Sequence, residues 1–328
     1  MEAQETRVRE VARPGGVPDR HPQGLVCVAV DGSRAARQAV VWGAVEARLR
    51  HSPLLIVHVD VVATESLGAE PSQVSGQILL ESSAEAANQV EPDVDVRTEL
   101  TTGTSVRAEL VALSQRMSVL ALGIDPTQPR WAHGARGPIE DHVAVHAGCP
   151  VVTVAPKSFL APGARSQITI GWTEGHTARL ALEAAAEEAH LRGSDLTVLT
   201  VPPVLDPQLT GIIPPPNQES ALIDAVGKIE DRYPGLPINI THQTDDVTAA
   251  LKSMAPLSEL LVLGCHHSSE SWSIRTGPVA AALMRDGHCP VMLVGRLAKQ
   301  SAERATSQPS DQRSTDKATS SQERRQMP

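Results

Sequence analysis

Aromatic side chains are nearly missing from this chain of 328 residues: one Tyr, one Phe and four Trp, 2% in all. Proteins that hold single-stranded nucleic acid stack its bases on aromatic rings, so this scarcity argues against that class. Any core must be aliphatic, filled by Val, Leu, Ile and Ala. Cysteine is scarce too. Cys27, Cys149, Cys265 and Cys289 are widely spaced, with no Cys-x-x-Cys pair. That excludes a disulfide framework and points to a reducing, cytoplasmic setting. No run of 18 apolar residues occurs, so no membrane span is expected. The first residues lack the apolar stretch of a secretory leader. Excess positive charge is also absent. The net charge is −9, which disfavours nucleic acid and anionic membrane as partners.

What remains is ordinary globular material, 41% hydrophobic and 20% charged. The length suggests two domains. Residues 1–23 mix four acids and four Arg with Pro and Gly, and residues 297–328 are rich in Ser, Gln, Thr and Arg. Neither end has enough large apolar residues to offset its ordering entropy, so both are expected to be disordered tails. The Arg-rich end (Arg304, Arg313, Arg324, Arg325) reads as a solubilising tail.

Between the tails the sequence repeats itself at an offset of 140–142 residues. Leu25–Val30 is a short apolar run suited to a buried strand. Asp31-Gly32-Ser33 turns the chain, with Ser33 as N-cap, and residues 35–50 read as a helix. Leu54–Val59 is the next strand. In the second copy the strand is Gln167–Trp172, the helix 177–192 and the next strand Leu196–Val201. Later, Val119–Gly123 matches Leu260–Gly264, Gly137-Pro138 matches Gly277-Pro278, and Cys149–Val154 matches Cys289–Val294. Alternating strands and helices mean a doubly wound parallel sheet in each copy. The expected domains are residues 24–156 and 167–296, with residues 157–166 as linker.

This repeat resembles the universal stress protein family, present here as a tandem pair. The residues that carry the resemblance are Val28-Ala-Val-Asp-Gly-Ser33, His58-Val59, Leu122-Gly123, Gly137 and Ala147-Gly-Cys-Pro-Val-Val152. In the second copy they are Leu263-Gly264, Gly277 and His288-Cys-Pro-Val291. The resemblance implies two tandem five-stranded parallel sheets of strand order 3-2-1-4-5, a Rossmann-like α/β fold. It also implies pairing through the last strand. In this chain Val151–Val154 is set against Val291–Val294 as an intramolecular pseudo-dimer, and association of two whole chains stays open.

Nucleotide-binding members of the family carry G-x2-G-x9-G-[S/T] after the fourth strand, where glycines let backbone N–H groups approach phosphate. This chain departs from that pattern. Gly123 and Gly264 are kept, but Pro126 and His267 replace the second glycine, and the last pair is Gly137-Pro138 or Gly277-Pro278. Proline has no N–H to donate, and the hydroxyl of the family's Ser or Thr is lost with it. The acidic residue after the first strand is Asp31 in copy one and Thr173 in copy two. Copy one is therefore the expected ATP or adenine-nucleotide site. By resemblance it uses Ala29, Asp31, Val59, Leu122, Gly123, Gly137 and Ile139. Trp172 is expected to fill the second copy's site in place of adenine.

Other chemistry is thin. His142 and His146 sit at i, i+4, a spacing that can serve a metal, but a solvated helix face is the favoured reading. Cys149 and Cys289 open buried strands and read as packing. Asp60, Glu65, Asp245 and Asp246 read as solvated acids. No nucleophile triad and no Gly-Lys-[Ser/Thr] phosphate loop is found. Three functions compete: a non-enzymatic stress-response protein sensing adenine nucleotide, a nucleotide-free scaffold for protein partners, and a weak ATPase. The first is preferred, with no catalytic residues and no metal.

Overall fold

The computed structural model describes residues 9–10, 24–61, 73–127, 138–158, 167–200, 217–243, 246–265 and 276–298. The first half runs β1 (Arg9–Glu10), β2 (Leu25–Ala29), α1 (Arg34–Leu49), β3 (Leu54–Val61), α2 (Gln73–Val90), β4 (Val96–Gly103), α3 (Val106–Ser114), β5 (Met117–Gly123), α4 (Ile139–His146) and β6 (Val151–Val154). The second runs β7 (Gln167–Trp172), α5 (His176–Arg192), β8 (Asp195–Thr200), α6 (Asn217–Arg232), β9 (Ile238–His242), α7 (Val247–Met254), a 3-10 turn at Ala255–Leu257, β10 (Ser258–Gly264), α8 (Pro278–Asp286) and β11 (Val291–Val294).

The strand order is β1-β4-β3-β2-β5-β6-β11-β10-β7-β8-β9. Each half contributes five parallel strands in the expected 3-2-1-4-5 order, but the expectation of two separate sheets is corrected. The halves form one continuous sheet, joined where β6 pairs antiparallel with β11, Val152 opposite Met292. The reason is the edge. β6 reads Val-Val-Thr-Val and is buried along its whole length. Left unpaired, that edge would bury a row of unsatisfied N–H and C=O groups. Thr153 adds a hydroxyl bond to the Val291 carbonyl at 3.2 Å. At the far edge, Arg9 and Glu10 pair in parallel with Arg97 and Thr98 of β4.

Both faces of the sheet are covered, which is why its central strands are near-continuous apolar runs. Alternate residues divide between two cores. Val26, Val28, Ile168 and Ile170 face α1, α2, α5 and α6, where Ala39, Val40, Leu80, Leu182 and Ile229 pack. Cys27, Leu120, Val151 and Leu261 face α3, α4, α7 and α8, where Leu110, Val143, Leu251 and Leu283 pack. The side chains are aliphatic, as the composition requires. Trp42 joins the first core at 5% exposure. The four cysteines are buried and none is in a disulfide, and burial raises the thiol pKa of Cys27 and pushes Cys265 up to about 12. Cys289 Sγ donates to the Ser258 carbonyl at 3.1 Å.

The halves are also clasped by charge. Glu46 and Arg50 lie one turn apart at the end of α1, and Glu188 and Arg192 occupy the matching places at the end of α5. Arg50 pairs with Glu46 and with Glu188, and Arg192 pairs with Glu188 and with Glu46. The ring is closed by two-fold repetition of one Glu-x-x-x-Arg motif. Glu46 and Glu188 are fully buried, and both Arg side chains are at most 8% exposed. Glu187 reaches Arg50 at 2.7 Å, and Glu259 lies 3.8 Å from Arg192. Carboxylates thus outnumber guanidiniums. Burial, together with Glu46 and Glu187, pushes Glu188 up to about 7 against the pull of Arg192 and Arg50. Burial also opposes ionisation at Glu46, but Arg192 and Arg50 hold it down to about 2. The two carboxyls titrate as a pair.

Candidate functional site

In an open parallel sheet, ligands bind outside the strand C-termini, where the strand order reverses. In the first half that point lies between β2 and β5. After Ala29 and Val30 the chain turns through Gly32, whose φ of +84° suits glycine. Asp31 Oδ1 accepts the Ser33 N–H at 2.9 Å. Ser33 Oγ accepts the Ala36 N–H at 3.0 Å and caps α1. These bonds fix the Asp31 carboxylate above the end of β2.

A cavity of about 250 Å³ opens there. Ala29, Asp31, Val59, Leu122, Gly123 and Ile139 all line it. Gly137, the seventh sequence candidate, lies outside the described residues. Gly123 has a packing role beside its place in the wall: a Cβ there would overlap the backbone of Ala35 and Ala36. Its missing side chain is what lets α1 lie against β5.

The wall also contains His58, Val106, Leu110, Asp125 and Glu140, which sequence reasoning did not assign to the site. His58 precedes Val59 on β3, its ring lies beside Gly76 of α2, and its Nδ1 donates to the Val30 carbonyl at 2.7 Å. Asp125 Oδ1 accepts both the N–H of Thr127 at 2.9 Å and its hydroxyl at 2.6 Å. Those two bonds lower its pKa. Val106 and Leu110 come from α3, and Glu140 from the first turn of α4. They come from inside β3 (His58), from the turn after β5 (Asp125) and from two helices, so no single sequence position marked them. Pro138 is the N-cap of α4, with φ −62° and ψ 150°.

The second half places different groups at the same positions. Gly171 stands where Ala29 does, and a Cβ there would meet Leu263 at 3.0 Å and Leu251 at 3.1 Å. The leucines that match Leu110 and Leu122 have thus closed onto the strand backbone. Gly264 lies against α5, where a Cβ would meet the Thr177 carbonyl oxygen at 2.9 Å. Gly175 replaces Ser33 as N-cap, with φ +132° and no side-chain bond. Trp172 is buried in the core on the α1/α5 face, with Ala178 and Leu182; Val30, at the matching place in the first half, belongs to the same core and lines the cavity there.

Among the described residues, no group of three or more His, Cys, Asp and Glu is placed to hold a metal ion. The rings of His142 and His146 stack 4.3 Å apart, and His146 Nδ1 donates to the His142 carbonyl at 2.8 Å. Burial, His146 and Arg107 lower the pKa of His142. Asp246 caps α7, accepting the Ala249 N–H at 3.2 Å. Asp245, Glu65, His266 and His267 lie outside the described residues. No helix among the described residues is long and apolar enough to cross a membrane.

Comparison with known proteins agrees with this architecture. The model of the universal stress protein family matches twice, at residues 25–155 and 165–295. A universal stress protein of Mycobacterium tuberculosis is 26% identical over 290 residues, covering 84% of this chain and 97% of its own length. The crystal structure of a universal stress protein from Archaeoglobus fulgidus superposes with a TM-score of 0.63 at 13% identity, covering 84% of this chain and 97% of that one. A universal stress protein solved in complex with cAMP covers 40% of this chain and 96% of its own, at 19% identity and a TM-score of 0.34. With both repeats matched by the family model and laid into one sheet, the chain belongs to the universal stress protein family as a tandem two-domain member.

Proposed function

We propose that this chain is a non-enzymatic stress-response protein whose first half senses an adenine nucleotide in the cavity between β2 and β5. The observation that carries the reading is the convergence on one cavity of six residues named from sequence. Val59, Leu122 and Ile139 supply apolar walls for a planar base. Asp31, held by the Ser33 N–H, is an acceptor for hydroxyl or amine donors. A few fixed polar groups on apolar walls are the ordinary make-up of a small-molecule site. For the second half the leucines packed on Gly171 favour a structural role, as the partner that completes the sheet.

Calorimetry on the full chain tests this. Adenosine, AMP, cAMP and ATP are titrated into the protein and into Asp31→Ala. Saturable heat from at least one ligand, weakened in the variant, supports the reading. Silence from all four overturns it and leaves the scaffold reading, to be pursued through protein partners. Steady release of inorganic phosphate from bound ATP would replace it with the weak ATPase.

A further inference from the structure

One side of the first-half cavity is held from outside its own half. Ile139 and Glu140, which line the cavity, belong to the first turn of α4. Asp141 is the next residue of that turn, and its Oδ1 accepts the Thr276 hydroxyl at 2.7 Å. Thr276 stands just ahead of α8, in the second half. Both side chains are buried, Asp141 at 3% and Thr276 at 5% exposure. A hydrogen bond to a buried carboxylate is among the stronger ones, and losing the donor leaves the acceptor's desolvation uncompensated.

Backbone approaches from the second half bear on the same side. Gly295 follows β11 directly, and a Cβ there would lie 2.6 Å from the Ala144 carbonyl oxygen of α4. Gly287 is the C-cap of α8, and a Cβ there would meet Pro126 at 3.3 Å. Pro126 adjoins Asp125, another residue of the cavity wall. The Thr276 bond has no reciprocal, because Ala281 stands in α8 where Asp141 stands in α4 and has no carboxylate to accept one.

Resting on the reading of the cavity as a ligand site, we propose that Thr276 is a positioning residue for the first-half ligand. Through Asp141 it fixes the turn of α4 that carries Ile139 and Glu140, so the second half sets the affinity of the first. A binding wall keeps its geometry only when the residues behind it are themselves held.

The test titrates adenosine, AMP, cAMP and ATP by calorimetry into the full chain and into Thr276→Val, which keeps the side chain's shape and removes its hydroxyl. The affinity of any ligand that binds the parent chain is expected to fall about tenfold. Thr276→Ser, which keeps the hydroxyl, is expected to restore most of it. Thr153→Val removes a hydroxyl bond across the same junction, to the Val291 carbonyl, and is expected to leave affinity unchanged. Full affinity in Thr276→Val overturns this inference and leaves the adenine-nucleotide reading standing. An equal loss in Thr153→Val also overturns it, since any loosening of the junction would then suffice. So does a loss that Thr276→Ser does not restore, since the hydroxyl would then not be its cause. If Thr276→Val does not fold, Thr276→Ala is read in the same way. Silence from all four ligands in the parent chain fails the cavity reading, and this inference with it.

Discussion

The two halves share one topology and differ at the ends of their strands. In the first, Ala29, Leu110 and Leu122 stand back around a cavity. In the second, Leu251 and Leu263 lie against the bare backbone of Gly171. Asp31 becomes Thr173, Ser33 becomes Gly175 and Glu140 becomes Ala280. Meanwhile the parts that hold the sheet are kept in duplicate: the last strands that pair, the glycines that seat α1 and α5, and the Glu-x-x-x-Arg motifs that interlock.

The largest effect expected from breaking this comparison is at the duplicated clasp. Removing one member of a buried charge ring leaves its partners uncompensated. Arg192→Ala is therefore expected to cost about 3–5 kcal/mol in denaturant unfolding. Arg48→Ala, which removes a half-exposed pair with Glu91, is expected to cost under about 1 kcal/mol. Equal effects would mean the ring adds nothing beyond an ordinary surface pair.

Next come the two seating glycines. Gly123→Ala forces α1 off the backbone contact with Ala35 and Ala36 and is expected to cost about 3 kcal/mol. Gly264→Ala meets a looser contact, 2.9 Å to the Thr177 oxygen, and is expected to cost about 1 kcal/mol. The reverse ranking would show that the first half yields more readily than the second.

The clasp also carries a pH signature. Glu188, raised from the usual 4.5 to about 7, binds its proton more tightly in the folded state. Its contribution is complete below its unfolded value and is lost as pH rises through its folded one. Glu46, lowered to about 2, contributes above its unfolded value and loses that contribution as pH falls toward the folded one. Melting temperature is expected to decline from about pH 5 to about pH 7.5, and Glu188→Gln is expected to flatten that slope. A slope unchanged in the variant would place its origin elsewhere.

The smallest effect separates the two N-caps. Ser33→Ala removes the bond to the Ala36 N–H and is expected to cost about 1 kcal/mol of stability. Gly175→Ser is not expected to recover that amount in the second half, because φ +132° suits glycine alone. A stabilised Gly175→Ser variant would show that α5 can rebuild its cap.

Much of this was legible in the sequence because it is local. The apolar runs Leu25–Val30 and Leu54–Val59 announce buried strands, Ser33 announces a cap, and the repeat announces the doubling. The cavity residues Ala29, Asp31, Leu122 and Gly123 were legible because they stand at strand ends, where a parallel sheet puts its ligands. His58, Asp125 and Glu140 were not assigned, since they come from a strand, a turn and a helix that only the tertiary fold brings together. The clasp left a trace in the matched spacing of Glu46/Arg50 and Glu188/Arg192, but that spacing also describes an ordinary exposed helix pair.

Sequence alone determined the aliphatic cores from composition, the strand–helix alternation from local periodicity and turn chemistry, and the duplication from the repeat at 140–142 residues. The tertiary structure decided the rest. It joined two sheets into one, because the backbone edge of the fully buried strand β6 is satisfied by β11. It turned two surface-like ion pairs into a buried ring, because the junction brought the ends of α1 and α5 together. It left a cavity in one half and leucine in the other, because side chains that match in sequence meet different neighbours.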